Sequence, residues 1–231
     1  MDTEKSVDQL ASDLVKKWKA RHRQGKKDEA SKLPVITLCM EPGSCGFTIA
    51  KRIAEELGVD LFHRDIVHRI AASTRSSAVL VDSLEKERMS GVKDFISSLI
   101  KDKYLHPDVY LEHLMKVVNT IGQYKRAVIV GRGANFILPA KKCFRIRVVA
   151  NLEDRVANVA NHFNVVSDEA KRRVLHRESR REAFVRQSFH ADIADPHHYH
   201  LVLNTSYTTI DAAVETAIGG IIAFTGGSST T

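Results

Sequence analysis

The chain is short of cysteine, of tryptophan and of long apolar runs, and each shortage removes a class of protein. Its three cysteines, Cys39, Cys45 and Cys143, form no C-x-x-C pair and cannot all pair with one another. Reduced thiols and a cytoplasmic location are therefore expected. No segment approaches the ~20 apolar residues that span a bilayer, and the polar N-terminus lacks the apolar core of a signal peptide. The expectation is a soluble, unexported chain with no membrane partner. The single Trp, Trp18, is thin equipment for a helix lying in a membrane interface. Little aromatic interleaving among the basic stretches counts against nucleic-acid binding.

What is present points to one good-sized domain with a small appendage: 231 residues, 43% of them apolar, enough to bury a substantial core. Lys and Arg number 35 against 28 Asp and Glu, for a net charge of +7. That excess is local. Lys16 to Lys27 holds seven cations and no acid, and Lys171 to Arg186 holds seven cations against Glu178 and Glu182. The rest of the chain is mildly acidic, so small anionic ligands are expected rather than a nucleic-acid coat.

Residues 7–24 carry Val7, Leu10, Ala11, Leu14 and Trp18 at helical spacing, with cations crowding the C-terminal end. This predicts an amphipathic helix that docks on the body of the domain or on a second subunit. The helix and a charged linker fill residues 1–33. From residue 34, strands alternate with helices. Val35–Met40 reads as a buried strand, 47–57 as a helix closed by Gly58, and Val59–Phe62 as a second strand. Helical patterns follow over 65–72, 92–100 and 109–124, with loop or short helix over 75–91. Strands are expected at 127–130, 144–149 and 200–203, and helices at 152–163, 167–190 and 210–224. A flexible Gly/Ser/Thr tail is expected over 225–231. Such alternation implies an open α/β sheet with right-handed crossovers, over residues 34–224.

Between the first strand and its helix lies Gly43-Ser44-Cys45-Gly46-Phe47-Thr48. In the phosphate-loop pattern G-x-x-x-x-G-K followed by Ser or Thr, backbone N–H groups cradle phosphates and the Lys reaches the outer ones. Here Phe47 takes the place of the Lys. Gly131-Arg132-Gly133 follows the third strand, so Arg132 projects at the same sheet edge, where its planar guanidinium suits phosphate. Arg173, Arg177 and Arg181 recur four apart with Arg180 beside them and Arg186 beyond, as an exposed, arginine-rich segment able to swing over a polyphosphate. His190, Asp192, Asp195, His197, His198 and His200 crowd eleven residues without any helical metal-binding spacing, so a solvated loop is expected and no metal site is assigned.

Taken together, Glu41 to Ala50, Leu61-Phe62-His63-Arg64-Asp65-Ile66-Val67, Val128 to Ala134, Glu178 to Arg186 and Asp195 to Ser206 resemble, in that order, the cytidylate kinase-like family of P-loop nucleoside monophosphate kinases. The resemblance covers roughly residues 34–223. It implies a P-loop NTPase-type three-layer α/β/α fold with a five-stranded parallel sheet, a helical monophosphate-binding insertion after strand two, and a helical lid. It also implies ATP with Mg2+ as the donor and CMP, dCMP or a related nucleotide as acceptor. Carried over, Gly43, Ser44, Cys45, Gly46, Phe47 and Thr48 hold donor phosphates. His63, Arg64, Asp65 and Arg132 lie on the acceptor side, and Arg177, Arg180, Arg181 and Arg186 act on the transferring phosphoryl group. The chain departs from the family where Cys45 stands for a Gly, Phe47 for the loop cation, and His63 for a frequent Asp. Two readings stay open: a kinase whose lid arginines replace the loop cation, and a non-catalytic nucleotide-binding module that kept the fold.

Overall fold

The structure is a computed structural model that describes residues 7–23, 33–73, 78, 80, 96–97 and 108–227. The expected loop or short helix over 75–91 and the helix over 92–100 fall largely outside the described residues. Among the described residues, five parallel strands form one sheet: β1 (Val35–Met40), β2 (Asp60–Phe62), β3 (Ala127–Val130), β4 (Cys143–Val149) and β5 (Leu201–Asn204). Their order is β2-β3-β1-β4-β5. The first strand is thus the central one, with Leu38 in register with Val130 on one side and Ile146 on the other.

The helices are α1 (Val7–Arg23), α2 (Gly46–Glu56), α3 (Arg64–Ala72), α4 (Val109–Tyr124), the single turn α5 (Ala134–Ile137), α6 (Leu152–Phe163), α7 (Ser167–Phe189) and α8 (Ile210–Gly227). None of these is long and apolar enough to cross a membrane. Side chains alternate across each strand, and the core is split accordingly. Ile36, Leu38, Ile146 and Val148 face α2 and α8 through Ile49, Ile53, Val214 and Ile221. Val35, Cys39, Phe62 and Ile129 face α3, α4, α5 and the end of α7 through Ile70, Leu114, Ile137 and Phe189. Both faces are covered, as a parallel sheet requires.

Three elements differ from the sequence expectation. α5 is too short to show a helical period, and no element was expected there. α8 carries its helix to Gly227, past the expected boundary at residue 224, and the Thr225 hydroxyl donates back to the Ile221 carbonyl at 2.9 Å. α7 is a single 23-residue helix pinned at both ends: Ala170 and Val174 pack on Val156 and Val159 of α6, and Val185 and Phe189 enter the main core. Four buried apolar residues suffice for this anchoring, which the surrounding cations conceal in the sequence. The amphipathic α1 lies on its own domain, with Trp18 3% exposed, stacked on Tyr124 at 4.2 Å between ring centroids and near Phe62. Its Lys17 pairs with Asp60.

Candidate functional site

The loop between β1 and α2 is built from the inside out. Gly43 has φ +86°, and a Cβ there would come within 2.4 Å of the Arg155 carbonyl oxygen, so only glycine fits this turn against α6. Ser44 is fully buried, and its hydroxyl donates to the carbonyls of Glu41 at 2.9 Å and Val148 at 3.3 Å. Asn158 on α6 donates to the Gly43 carbonyl at 2.9 Å, and the Thr205 hydroxyl donates to the Ser44 carbonyl at 3.1 Å. The Ser44 N–H closes a turn onto the Glu41 carbonyl at 3.2 Å, so the donors left for the front are those at the helix start. Cys45 caps α2 in the left-handed region (φ 57°) without a side-chain cap bond, so the first-turn N–H groups of Gly46, Phe47 and Thr48 have no i−4 acceptor. These orphan donors and the helix dipole make an anion cradle. Burial pushes the Cys45 thiol pKa up, so the loop carries a neutral thiol.

Phe47 stands 39% exposed at this helix start. Its ring meets the His63 imidazole edge-on, 4.9 Å between centroids at 79°. His63 in turn caps α3, its Nδ1 accepting from the Asp65 N–H at 3.3 Å. Burial lowers the His63 pKa, Arg64 and Arg132 lower it further, and Asp65 opposes them.

Behind the loop stands a charge network centred on Glu41, the residue that follows β1. One carboxylate oxygen meets Arg147 at 3.3 Å. The other accepts from the Ala150 N–H at 3.1 Å and lies 3.5 Å from Arg155. Arg155 also donates to Glu178 on α7 at 2.8 Å. Burial works against the Arg147 charge, but Cys39, Tyr199 and Glu41 outweigh it and hold its pKa up. Burial raises the Tyr199 phenol pKa, with Cys39 adding to the effect. This tyrosine donates to the Ile193 carbonyl at 2.8 Å, and the Arg147 guanidinium lies over its ring at 5.6 Å.

Beyond the carboxyl ends of β1 and β3 opens a pocket of about 380 Å³. Arg64, Asp65 and Arg132 form one side, Arg177, Arg180 and Arg181 of α7 the other, and Asn135, Phe184 and Ile193 complete the wall. Among the described residues, five guanidiniums thus face a single carboxylate. Arg132 donates from Nε to the Arg64 carbonyl at 3.3 Å, and Arg181 donates to the Met40 carbonyl at 2.5 Å. Burial pushes the Arg181 pKa down to about 10, with Arg64, Arg177 and Arg132 contributing and Cys39 opposing. A half-buried cation among cations calls for an anion.

The structure therefore brings Arg64, Asp65, Arg132, Arg177, Arg180 and Arg181 to one pocket and sets Gly43 to Thr48 as a loop at the end of the same central strand, with His63 against Phe47. Arg186 is exposed and is not part of the pocket wall. Arg181 is also not the exposed group expected of a swinging arginine segment, since the buried ends of α7 hold it against β1. Arg177 lies over the Phe163 ring at 5.5 Å. In the His/Asp stretch, Asp195 accepts from the His197 N–H at 2.9 Å and Asp192 from the Ala194 N–H at 2.8 Å, which makes turns. Among the described residues no three His, Cys, Asp or Glu converge as metal ligands. Sequence reading assigned no role to Glu41, Asn135, Arg147, Arg155 or Asn158. The available signal was Arg147 itself, which with Arg145 puts a charge inside a mostly apolar strand that is covered on both faces.

The sequence pattern of the cytidylate kinase-like family matches residues 35–207. No curated protein matches the chain. Among solved structures, an uncharacterised protein from Eubacterium ventriosum is similar at 16% identity, covering 82% of this chain and 99% of its own, with a TM-score of 0.63. A shikimate kinase from Acinetobacter baumannii, solved with shikimate, matches at 15% identity over 83% of this chain and 94% of its own, with a TM-score of 0.47.

Proposed function

Because the chain belongs to the cytidylate kinase-like family and has the kinase-like fold of the nucleotide kinase superfamily, we propose that it transfers the ATP γ-phosphoryl group to a nucleoside monophosphate, CMP, dCMP or a related acceptor. The observation that carries this reading is the arginine pocket beside the loop, with the half-buried Arg181 reaching the end of β1. Phosphoryl transfer is mostly a matter of positioning and neutralising charge. The loop amides of Gly46, Phe47 and Thr48 hold the donor phosphates, and Arg132 with Arg64 holds the acceptor phosphate. Arg177, Arg180 and Arg181 neutralise the group in transit.

The donor residues fit a magnesium polyphosphate in a limited way. Thr48 is exposed at the helix start, where the P-loop pattern assigns a hydroxyl to the ion. Among the described residues no carboxylate cluster joins it, and Mg2+ is an ion that keeps its waters and is held largely by phosphate oxygens. The ion supplies charge neutralisation on the donor phosphates when bound.

Incubation with ATP, Mg2+ and a panel of nucleoside monophosphates tests the reading, and nucleoside diphosphate formation above that of an Arg181→Met variant is the expected result. Diphosphate levels equal in the two proteins would overturn it. A second reading, a nucleotide-binding module without turnover, draws on the Phe47–His63 contact, which places an aromatic pair where a cation is usual. Calorimetric binding of ATP with no diphosphate product distinguishes it. Under either reading, Phe47→Lys adds a charge-assisted contact to phosphate and should tighten binding of a non-hydrolysable ATP analogue about tenfold. Unchanged affinity would mean that this position faces away from the phosphates.

A further inference from the structure

Asn135 is an anomaly in the pocket wall. It sits on α5, immediately after the glycine turn that carries Arg132. Gly133 (φ +66°) holds this turn so close to the core that a Cβ there would lie 2.4 Å from the Phe189 ring. Asn135 is 4% exposed and lines the pocket. Yet its Nδ2 has no hydrogen-bond partner among the described residues. Buried side-chain amides nearly always have partners, and an orphan donor lowers stability. The charged side chains around the pocket do not help, because most of them are guanidinium donors. The exception, Asp65, is engaged with Arg64 and His63.

A phosphate in this pocket is already matched by guanidiniums, which bind it more strongly than a neutral amide can. The amide is matched instead to a neutral polar edge. Phe184, Val185 and Ile193 supply apolar surface in the same wall, suited to a flat ring. Carboxamides pair with nucleobase edges through one donor and one acceptor. We propose that Asn135 is the base-selecting residue of the acceptor pocket, its carboxamide hydrogen-bonding a carbonyl oxygen or unprotonated ring nitrogen of the bound nucleoside monophosphate. This rests on the acceptor reading given above. Asn135 is a specificity residue here and takes no part in the transfer itself.

The proposal links two measurements that a structural role would leave unlinked. Asn135→Leu removes an unpaired buried amide at similar volume, so its unfolding midpoint should equal or exceed that of the unaltered protein. Calorimetric titrations of CMP, UMP, AMP, GMP and the baseless probe ribose 5-phosphate supply the second measurement. Affinity for the preferred nucleotide should fall at least about tenfold, while ribose 5-phosphate stays within about twofold. Asn135→Ala, which adds no bulk, should show the same loss of base preference. If both variants keep the original base preference, or lose nucleotide and ribose 5-phosphate alike, the assignment of Asn135 is wrong while the acceptor reading stands. If the unaltered protein binds none of the five probes, the acceptor reading fails and takes this assignment with it.

Discussion

Glu41→Ala should cost about 3–5 kcal/mol of folding stability, more than any other single carboxylate described above. The reason is what it leaves behind. Arg147 and Arg155 have side chains only 8% and 9% exposed, and Glu41 is the carboxylate they share. Removing one partner of a buried charge network strands the others, at a cost of about 3–5 kcal/mol. The Ala150 N–H loses its acceptor as well. For a chain of this size that corresponds to a drop of roughly 10 °C in the thermal midpoint, readily seen by calorimetry. Glu41→Gln keeps an acceptor for Ala150 and should lose less. Glu178→Gln removes the outer partner of Arg155 near solvent and should cost about 1 kcal/mol. A loss below 1 kcal/mol for Glu41→Ala would mean that water, not Glu41, neutralises the two arginines.

Arg181→Met should show the opposite pattern, with activity lost and stability kept. Arginines that stabilise the charge of a transferring phosphoryl group contribute about 10³-fold or more in kcat, and Arg181 is the pocket arginine that reaches the carbonyl at the end of β1. Its charge is disfavoured by burial and by Arg64, Arg177 and Arg132. The sign follows from linkage. The folded protein gives up the Arg181 proton near pH 10, the unfolded chain only at the higher, ordinary arginine value. Below about pH 10 the buried charge therefore weighs against the folded state, and this burden lifts as the pH rises through 10. Met at 181 removes the burden at neutral pH, so the thermal midpoint should not fall even though kcat does. Added ATP or pyrophosphate should raise the midpoint of the unaltered protein by supplying the missing anion, and raise that of the Met variant less. A Met variant that turns over normally would remove Arg181 from the chemistry. One that unfolds early would mean that its bond to the Met40 carbonyl outweighs the charge penalty.

The sequence carried the elements well and the partnerships poorly. α4 and α6 match their expected bounds, since their apolar spacing and caps are local signals. So is the order of strands along the chain, from which a parallel sheet follows. The arginines of the pocket could be singled out because Arg132 sits in a glycine turn and Arg177 to Arg181 form a dense run. Glu41 could not, because its partners Arg147 and Arg155 lie far along the chain and its importance comes from burial alone. Asn135 was hidden for a related reason: an amide is unremarkable until its surroundings are known to offer no acceptor. For Phe47 the sequence showed the absent cation but not the aromatic contact, since His63 reaches it only after the chain has passed through β2.

The central place of the first strand has a consequence for how the molecule is made. β1 has no neighbour until Ile36 can pair with Val128 and Val35 with Cys143. During synthesis the apolar β1 therefore emerges long before its partners, exposed to aggregation or to chaperones. Its pairings are of high contact order and are expected to form late and slowly. The phosphate loop hangs from the end of that strand and is braced from behind by Asn158 and Thr205, residues that emerge later still. Ligand binding can therefore report on completion of the fold: a chain halted before β5 can hold many of its helices and still have no finished loop.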